Sequence, residues 1–142
     1  MLVTSNSGST WSMINTGLTN SLKGFYSNGG SAFTFCGTNG LIAKTTNGGV
    51  NFVSQNSGTT NSINSLFSFA TSRSIAVGDN GTIVQTSDAG ANWNPVSSGI
   101  STHLNYVIQY DALKGLILGD NGEIFKTVLE VPSLTFTYTR LN

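Results

Sequence analysis

The chain carries little charge, and this scarcity excludes one class of partner. Charged residues make up 8% of the 142 positions, and six basic side chains balance six acidic ones. A protein that binds nucleic acid concentrates positive charge on one face, which six scattered lysines and arginines do not provide. The composition therefore predicts that nucleic acid is not a partner.

Other absences limit the fold and its location. Cys36 is the only cysteine, so no disulfide can form within the chain. No run of 18 apolar residues is present, which predicts no membrane insertion. The first four residues, Met1 to Thr4, show neither the charged nor the apolar region of a signal peptide. Sparse charge with abundant Ser, Thr, Asn and Gly is typical of particle-surface proteins, so we expect a virion or extracellular location.

The chain does contain a repeat of 41 residues. The segment GDNGTIVQTSDAGANW begins at Gly78, and related segments begin at Gly37 (GTNGLIAKTTNGGVNF) and at Gly119 (GDNGEIFKT). A fixed period of this length is typical of repeat architectures such as solenoids and propellers. The fold is therefore expected to be built from one supersecondary unit used several times.

Each repeat is predicted to form four short strands, named A to D in chain order. Strand B is a continuous apolar run such as Ile75 to Val77, as expected for a strand buried on both faces. The pair Asn80-Gly81 that follows is typical of a type I′ hairpin turn. Four strands in about 40 residues make a β-propeller blade. A β-solenoid is the rival architecture, but it needs no hairpin turn in every unit.

We therefore expect a single all-β, propeller-type domain over residues 1–142. It divides into a partial blade (1–17), two complete blades (18–58 and 59–99) and a third with a divergent last strand (100–140). Propellers need about four to eight blades to close. The chain is thus predicted to be an incomplete propeller with two apolar ends, completed by a homo-oligomer or by partners in a larger particle.

A second motif, Ser/Thr-x-Asp-x-Gly-x-Thr-Trp, follows strand C and is known as the Asp box. It stands at Thr86–Trp93, Thr45–Phe52 and Thr4–Trp11, with Asn for Asp in two copies. Asp or Asn accepts backbone N–H groups inside the turn, Gly supplies its dihedral angles, and the aromatic fills the space between blades. The expected structural residues are Asn6, Gly8, Trp11, Asn47, Gly49, Phe52, Asp88, Gly90 and Trp93.

The wider pattern, AVGDNGTIVQTSDAGANW, resembles the photosystem II stability/assembly-factor-like propellers, also called BNR or Asp-box repeat proteins. The resemblance covers about residues 3–127. The resemblance implies a propeller fold. It also implies a comparison with photosystem factors whose propellers resemble complete rings, in which a basic patch contacts a partner protein. This chain has three predicted blades and only two arginines, Arg73 and Arg140.

Sialidases also carry Asp boxes, with a site that resembles three arginines clamping a carboxylate beside a Tyr/Glu pair and an acidic Asp. Two arginines cannot supply that clamp, so we expect no enzymatic activity. Cys36 is expected to be a small buried hydrophobe, and His103 an exposed loop residue. Asp79 and Asp120 precede Asn-Gly pairs and are expected to shape turns, because the ligand spacing of a calcium loop is missing. No metal and no cofactor are predicted.

The tail departs from the repeat. Leu134, Phe136 and Tyr138 alternate with threonines, which is the period of a β-strand. This segment is either strand D of the last blade or a strand that pairs with another chain, so these residues are a candidate interface.

The sequence favours a non-enzymatic, protein-interaction module. A viral (phage) particle or tail-associated structural protein is the leading expectation, because the composition suits a particle surface and no signal peptide is seen. One alternative is an assembly-factor-like propeller that binds a membrane-protein client. The other is a carbohydrate-binding propeller, in which Tyr, Trp and Asn line a sugar site.

Overall fold

The computed structural model describes residues 1–27, 29–111, 113–129 and 136–141, which form strands joined by turns. The strands are β1 (Leu2–Val3), β2 (Ser12–Met13), β3 (Leu22–Ser27), β4 (Phe33–Gly37), β5 (Ile42–Thr45), β6 (Val53–Gln55), β7 (Ile63–Ala70), β8 (Arg73–Gly78), β9 (Ile83–Thr86), β10 (Asn94–Pro95), β11 (Leu104–Asp111), β12 (Lys114–Gly119), β13 (Ile124–Leu129) and β14 (Phe136–Leu141). Among these residues no helix is long and apolar enough to cross a membrane.

The strands form three four-stranded antiparallel sheets and one separate hairpin. The first blade is β3-β4-β5-β6, the second is β7-β8-β9-β10, and the third is β11-β12-β13-β14. Within each blade the strands pair in chain order, as strands A to D were predicted to do. The remaining pair, β1 with β2, is the N-terminal hairpin. This architecture confirms the prediction of an all-β fold built from propeller blades.

The Asn-Gly turns join strands B and C with the predicted geometry. In the second blade, φ is 55° at Asn80 and 66° at Gly81, and the first and third blades repeat these values closely. A type I′ turn needs positive φ at both central positions. Asn and Gly are the residues that reach this left-handed region at least cost, so the local sequence determines these turns.

The hydrophobic core lies between blades. Ile75 and Val77 of β8 are buried in a cluster with side chains of the third blade, such as Val107. Ala76, which stands between them, is buried in a cluster that includes Cys36 of the first blade. Successive side chains of a strand point to opposite faces, so a strand with a blade on each side needs an unbroken apolar run.

The third blade departs from the 41-residue spacing at its last strand. In the second blade Gln85 pairs with Asn94, whereas Lys126, 41 positions after Gln85, pairs with Thr139, four residues later than the spacing predicts. The physical reason is that the Asp-box turn is lost here: β13 runs on to Leu129, which pairs with Phe136 of β14, whereas β9 of the second blade ends at Thr86. Phe136 and Tyr138 belong to β14, so the tail is strand D of this blade, while Leu134 lies outside the described residues.

Candidate protein interface

The Asp box of the second blade is a turn closed by its own side chains. The hydroxyl of Thr86 donates to Asp88 Oδ1 at 2.8 Å, and the N–H of Gly90 donates to Thr86 Oγ1 at 3.0 Å. The N–H of Asn92 donates to the same Asp88 oxygen at 2.9 Å. These contacts hold the turn and leave Asp88 bonded within its own loop.

The other two boxes form the same contacts with Asn in place of Asp. The side-chain oxygens of Asn47 and Asn6 accept from Thr45 and Thr4, each at 2.9 Å. Thr127 is the matching threonine of the third blade, where the motif is lost. Its hydroxyl is buried and has no hydrogen-bond partner among the described residues. Thr127 is therefore present at the expected position, but the Asp-box turn that its hydroxyl would close is absent from the third blade.

The hydrogen bonds of Asp88 predict an acid-sensitive contribution to stability. The backbone N–H and side chain of Asn92, followed by the Thr86 hydroxyl, lower the pKa of Asp88 from its ordinary 3.8 to about 2. Because the folded state favours the carboxylate, this contribution is complete above pH 3.8 and is lost as the pH falls toward 2. We expect the stability difference between the wild type and Asp88→Asn to change over that window.

This expectation is checked by urea unfolding of both proteins from pH 5 to pH 2, together with an NMR titration of the Asp88 carboxyl. The Asp88→Asn variant is a matched control, since Asn makes the same turn in the boxes at Asn6 and Asn47 without titrating. A titration midpoint near 4 would contradict the assignment.

The three aromatic residues of the boxes do not occupy equivalent environments. Trp93 is 7% exposed in the core between the first two blades, and its indole N–H donates to Gln55 Oε1 at 3.1 Å. Phe52 is half-buried against the rings of Phe33 and Phe35. Trp11 is 59% exposed, so the prediction that its side chain fills the space between two blades is wrong. It belongs to the N-terminal hairpin, against which no described blade packs on the outer side.

The polar candidates from the sequence are engaged in local contacts. Cys36 is fully buried, and burial raises the pKa of its thiol to about 12, so no thiolate forms near neutral pH. His103 Nδ1 lies 3.3 Å from Asp79 Oδ1, which also accepts from Asn64 Nδ2 at 2.8 Å. Asn105 donates to Asp120 in the same way at 2.7 Å. Across the described parts of the chain, no three potential metal ligands lie together.

A cavity of about 360 Å³ lies beside the link between the second and third blades. Glu123 on its wall is paired with Arg140, with 2.6 Å between Oε1 and Nη2, and accepts from the Thr102 hydroxyl at 2.5 Å. Both oxygens of this carboxylate are therefore engaged, and the cavity presents no free acid beside a base. This arrangement fits a structural contact between strands better than catalysis.

The third blade has an uncovered apolar surface on the side away from the second blade, which we call the last face. Its side chains are between 37% and 56% exposed. In the second blade the corresponding residues Val77 and Ile83 are buried against the third blade. The last face consists of Tyr106, Ile108, Tyr110, Leu118, Ile124 and Leu141.

The opposite end of the blade stack is also partly uncovered, and we call this surface the first face. Phe25 is 68% exposed, whereas Leu66, at the same position of the second blade, is 4% exposed. The rings of Phe25 and Phe35 lie 6.2 Å apart, and neighbouring rings extend the cluster toward the outer edge. The first face consists of Leu22, Phe25, Phe33, Phe35 and Phe52.

Sequence reasoning expected two apolar ends but placed its candidate interface on Leu134, Phe136 and Tyr138. The strand-A residues Phe25, Tyr106 and Tyr110 were missed. A signal was present in the comparison of repeats. Large rings stand at Phe33 and Phe35 where the second blade has Ser74 and Ala76, and such large side chains suit an end more than a tight contact between blades.

Repeated four-stranded antiparallel blades packed face to face make this chain a β-propeller-type protein. No family model and no curated protein matches it. Among solved structures it is similar to YCF48 from Cyanidioschyzon merolae, with a TM-score of 0.74 and 14% identity over 88% of this chain and 43% of that one. It is also similar to a structure described as YCF48 bound to D1 peptide, with a TM-score of 0.72 and 16% identity over 89% and 42%.

At these identities the likeness shows the fold. The chain spans less than half the length of both similar structures.

Proposed function

We propose that the chain is a non-enzymatic propeller segment that binds a protein client, in the manner of an assembly factor. The observation that carries the proposal is the last face, on which apolar and aromatic side chains lie half-exposed in one contiguous sheet. Exposed apolar patches mark interaction sites, and tyrosine is enriched where proteins meet. Leu118 and Ile124 favour a protein over a sugar, because they offer no hydrogen bond to a hydroxyl group.

The comparisons support the assembly-factor-like alternative over the viral structural role that the composition favoured. Neither similar structure is described as viral, and one of them is described as bound to a D1 peptide. A protein client suits the last face, because aromatic and aliphatic side chains of this kind are what the buried centre of an interface contains. Completion of the ring by a second copy stays a prediction.

The test is a fluorescence-anisotropy titration with the D1 peptide of that solved complex, and with a scrambled peptide of the same composition. We expect the D1 peptide to bind, and Tyr106→Ser to weaken binding by about tenfold or more, as for an aromatic residue at the centre of an interface. Val50→Ser is the matched control, since Val50 is an exposed apolar residue in an Asp-box turn, away from the last face.

Two outcomes would overturn the proposal. Equal binding of the D1 and scrambled peptides would refute specific binding of an assembly-factor-like client. If the Tyr106→Ser variant binds the D1 peptide as tightly as the wild type, the last face is not the binding site. Circular dichroism of each variant shows whether the fold is retained, which is expected because Tyr106 is half-exposed.

A further inference from the structure

A cavity of about 330 Å³ lies beside strands β5 and β6 of the first blade and the Asp-box turn that joins them. This volume is within the range of small-molecule binding sites. All its described lining residues belong to the first blade, whose four strands are described, so the cavity does not depend on what lies beyond either end of the blade stack. The residues are Lys44, Thr46, Asn47, Asn51, Val53 and Gln55.

The cavity carries one positive charge. Lys44 Nζ and Gln55 Nε2 both donate to the backbone oxygen of Ala89 at 3.3 Å, so the Asp box of the second blade holds the two side chains in place. An ammonium group has three N–H donors, so others remain on Lys44. Within the described parts of the chain, Lys44 pairs with no carboxylate and no acidic side chain lines the cavity. The site therefore suits a ligand that brings a single negative charge.

The Asp box of the first blade adds neutral donors to the wall. The side-chain oxygen of Asn47 is engaged, since it accepts from the Thr45 hydroxyl and from the backbone N–H of Asn51. The side-chain N–H groups of Asn47 and Asn51 donate to no described residue, and both residues line the cavity. Amide N–H groups are hydrogen-bond donors, so these two can bind hydroxyl groups of a ligand.

The other two Asp boxes close the corresponding groups on themselves. In the second blade Asn92 Nδ2 donates to Asp88 Oδ2 at 2.8 Å, and in the N-terminal hairpin Asn6 Nδ2 donates to the Thr10 hydroxyl at 2.8 Å. The second box also carries the negative charge of Asp88. Among the described boxes, a lysine beside unpaired amide groups is therefore particular to the first blade.

We propose that this cavity binds a sugar acid, a sugar with several hydroxyl groups and one carboxylate. The inference concerns a site separate from the last face and goes beyond the binding of a protein client. The carboxylate would pair with Lys44, and hydroxyl groups would accept from the amides of Asn47 and Asn51. Hydrogen bonds between a cation and a carboxylate are about twice as strong as those between neutral groups, so the acid group anchors the ligand.

The composition of the wall favours a sugar acid over other anions. A phosphate group brings up to about two negative charges, whereas Lys44 is the only cation among the described lining residues. An aromatic acid would need a ring to stack on, and no described residue of this wall is aromatic. Val53, which is 69% exposed, offers one apolar contact, which fits the C–H groups of a sugar ring.

The probe is glucuronate, titrated into the isotope-labelled full chain and followed by the side-chain amide signals of Asn47 and Asn51 in NMR spectra. We expect millimolar binding. Glucose lacks the carboxylate and acetate lacks the hydroxyl groups, so each loses one of the two kinds of contact. Each should bind at least about tenfold more weakly than glucuronate.

Lys44→Gln removes the cation and should weaken glucuronate binding by about tenfold or more. The fold should be retained, because Gln85 stands at the same position of the second blade. Lys126→Gln is the matched control. It removes the same charge at the same position of the third blade and should leave binding unchanged.

Asn47→Asp adds a carboxylate to the wall and should abolish glucuronate binding through repulsion of like charges. The turn should be retained, because Asp88 forms it in the second blade. Asn6→Asp makes the same change in the Asp box of the N-terminal hairpin, so it should leave binding unchanged.

The inference fails on any of the following results. They are amide signals that glucuronate does not shift, binding that Lys44→Gln or Asn47→Asp leaves intact, and equal losses in Lys44→Gln and Lys126→Gln. Equal binding of glucose would refute recognition of the acid, and equal binding of acetate would show an adventitious ion only. Because the cavity shares no residue with the last face, this test and the D1 peptide test fail independently.

Discussion

Replacing Trp93 by alanine should lower the free energy of unfolding by about 3–5 kcal/mol, the usual cost of removing a buried tryptophan. Trp93 is 7% exposed in the core between the first and second blades, among Leu66, Val84 and Ile42. Its removal would leave a cavity between the first and second blades. Gln55 would also lose the indole N–H that its oxygen accepts.

Trp11→Ala is the matched control, because Trp11 holds the same position in its own Asp box. At 59% exposure it should cost less than about 1 kcal/mol. The measurement is urea unfolding followed by circular dichroism. Equal losses in the two variants would contradict the difference in burial between the two tryptophans.

Gly81→Ala is the second large effect that we expect. Gly81 has a φ of +66°, and an added Cβ would lie 1.8 Å from the backbone oxygen of Ile100. The N–H of Gly81 also donates to the oxygen of Thr102 at 2.7 Å, so the turn is fixed against the link to the third blade. Left-handed strain and the collision together should cost about 2–5 kcal/mol.

Gly122→Ala separates the two causes. Gly122 stands in the same turn of the third blade with a φ of +73°, but a Cβ there meets nothing within 4 Å. Only the left-handed strain remains, so the loss should be about 1 kcal/mol. Thermal unfolding of both variants tests the comparison. A loss in Gly122→Ala as large as in Gly81→Ala would show that strain alone is responsible.

The sequence predicted the elements that depend on local chemistry. The Asn-Gly turns at Asn39, Asn80 and Asn121 adopt positive φ because of what those residues are, whatever surrounds them. The apolar runs of strand B likewise indicated burial on both faces, and Ile75 to Val77 is buried on both. Because the sequence repeats every 41 residues, the number of complete repeats also predicted the number of four-stranded sheets.

The sequence did not predict which members of a repeated position are buried. Phe25, Leu66 and Val107 share one position, yet Phe25 is exposed and the other two are buried. Trp11 and Trp93 differ in the same way. Burial at such a position depends on a neighbouring blade, and the repeat carries the same signal whether or not that neighbour is present.

By itself the sequence determined the blade: its turns, its four strands in order, and the side-chain networks of its Asp boxes. Only the tertiary structure decided which faces of the described blades are covered by a neighbour and which are exposed. It showed that the N-terminal hairpin covers Ala43 but not Phe25. It also showed that β14 pairs with β13 four residues later in the chain than the 41-residue spacing predicts. The physical reason is that turns form through contacts a few residues long, whereas burial is the sum of contacts between sheets far apart in the chain.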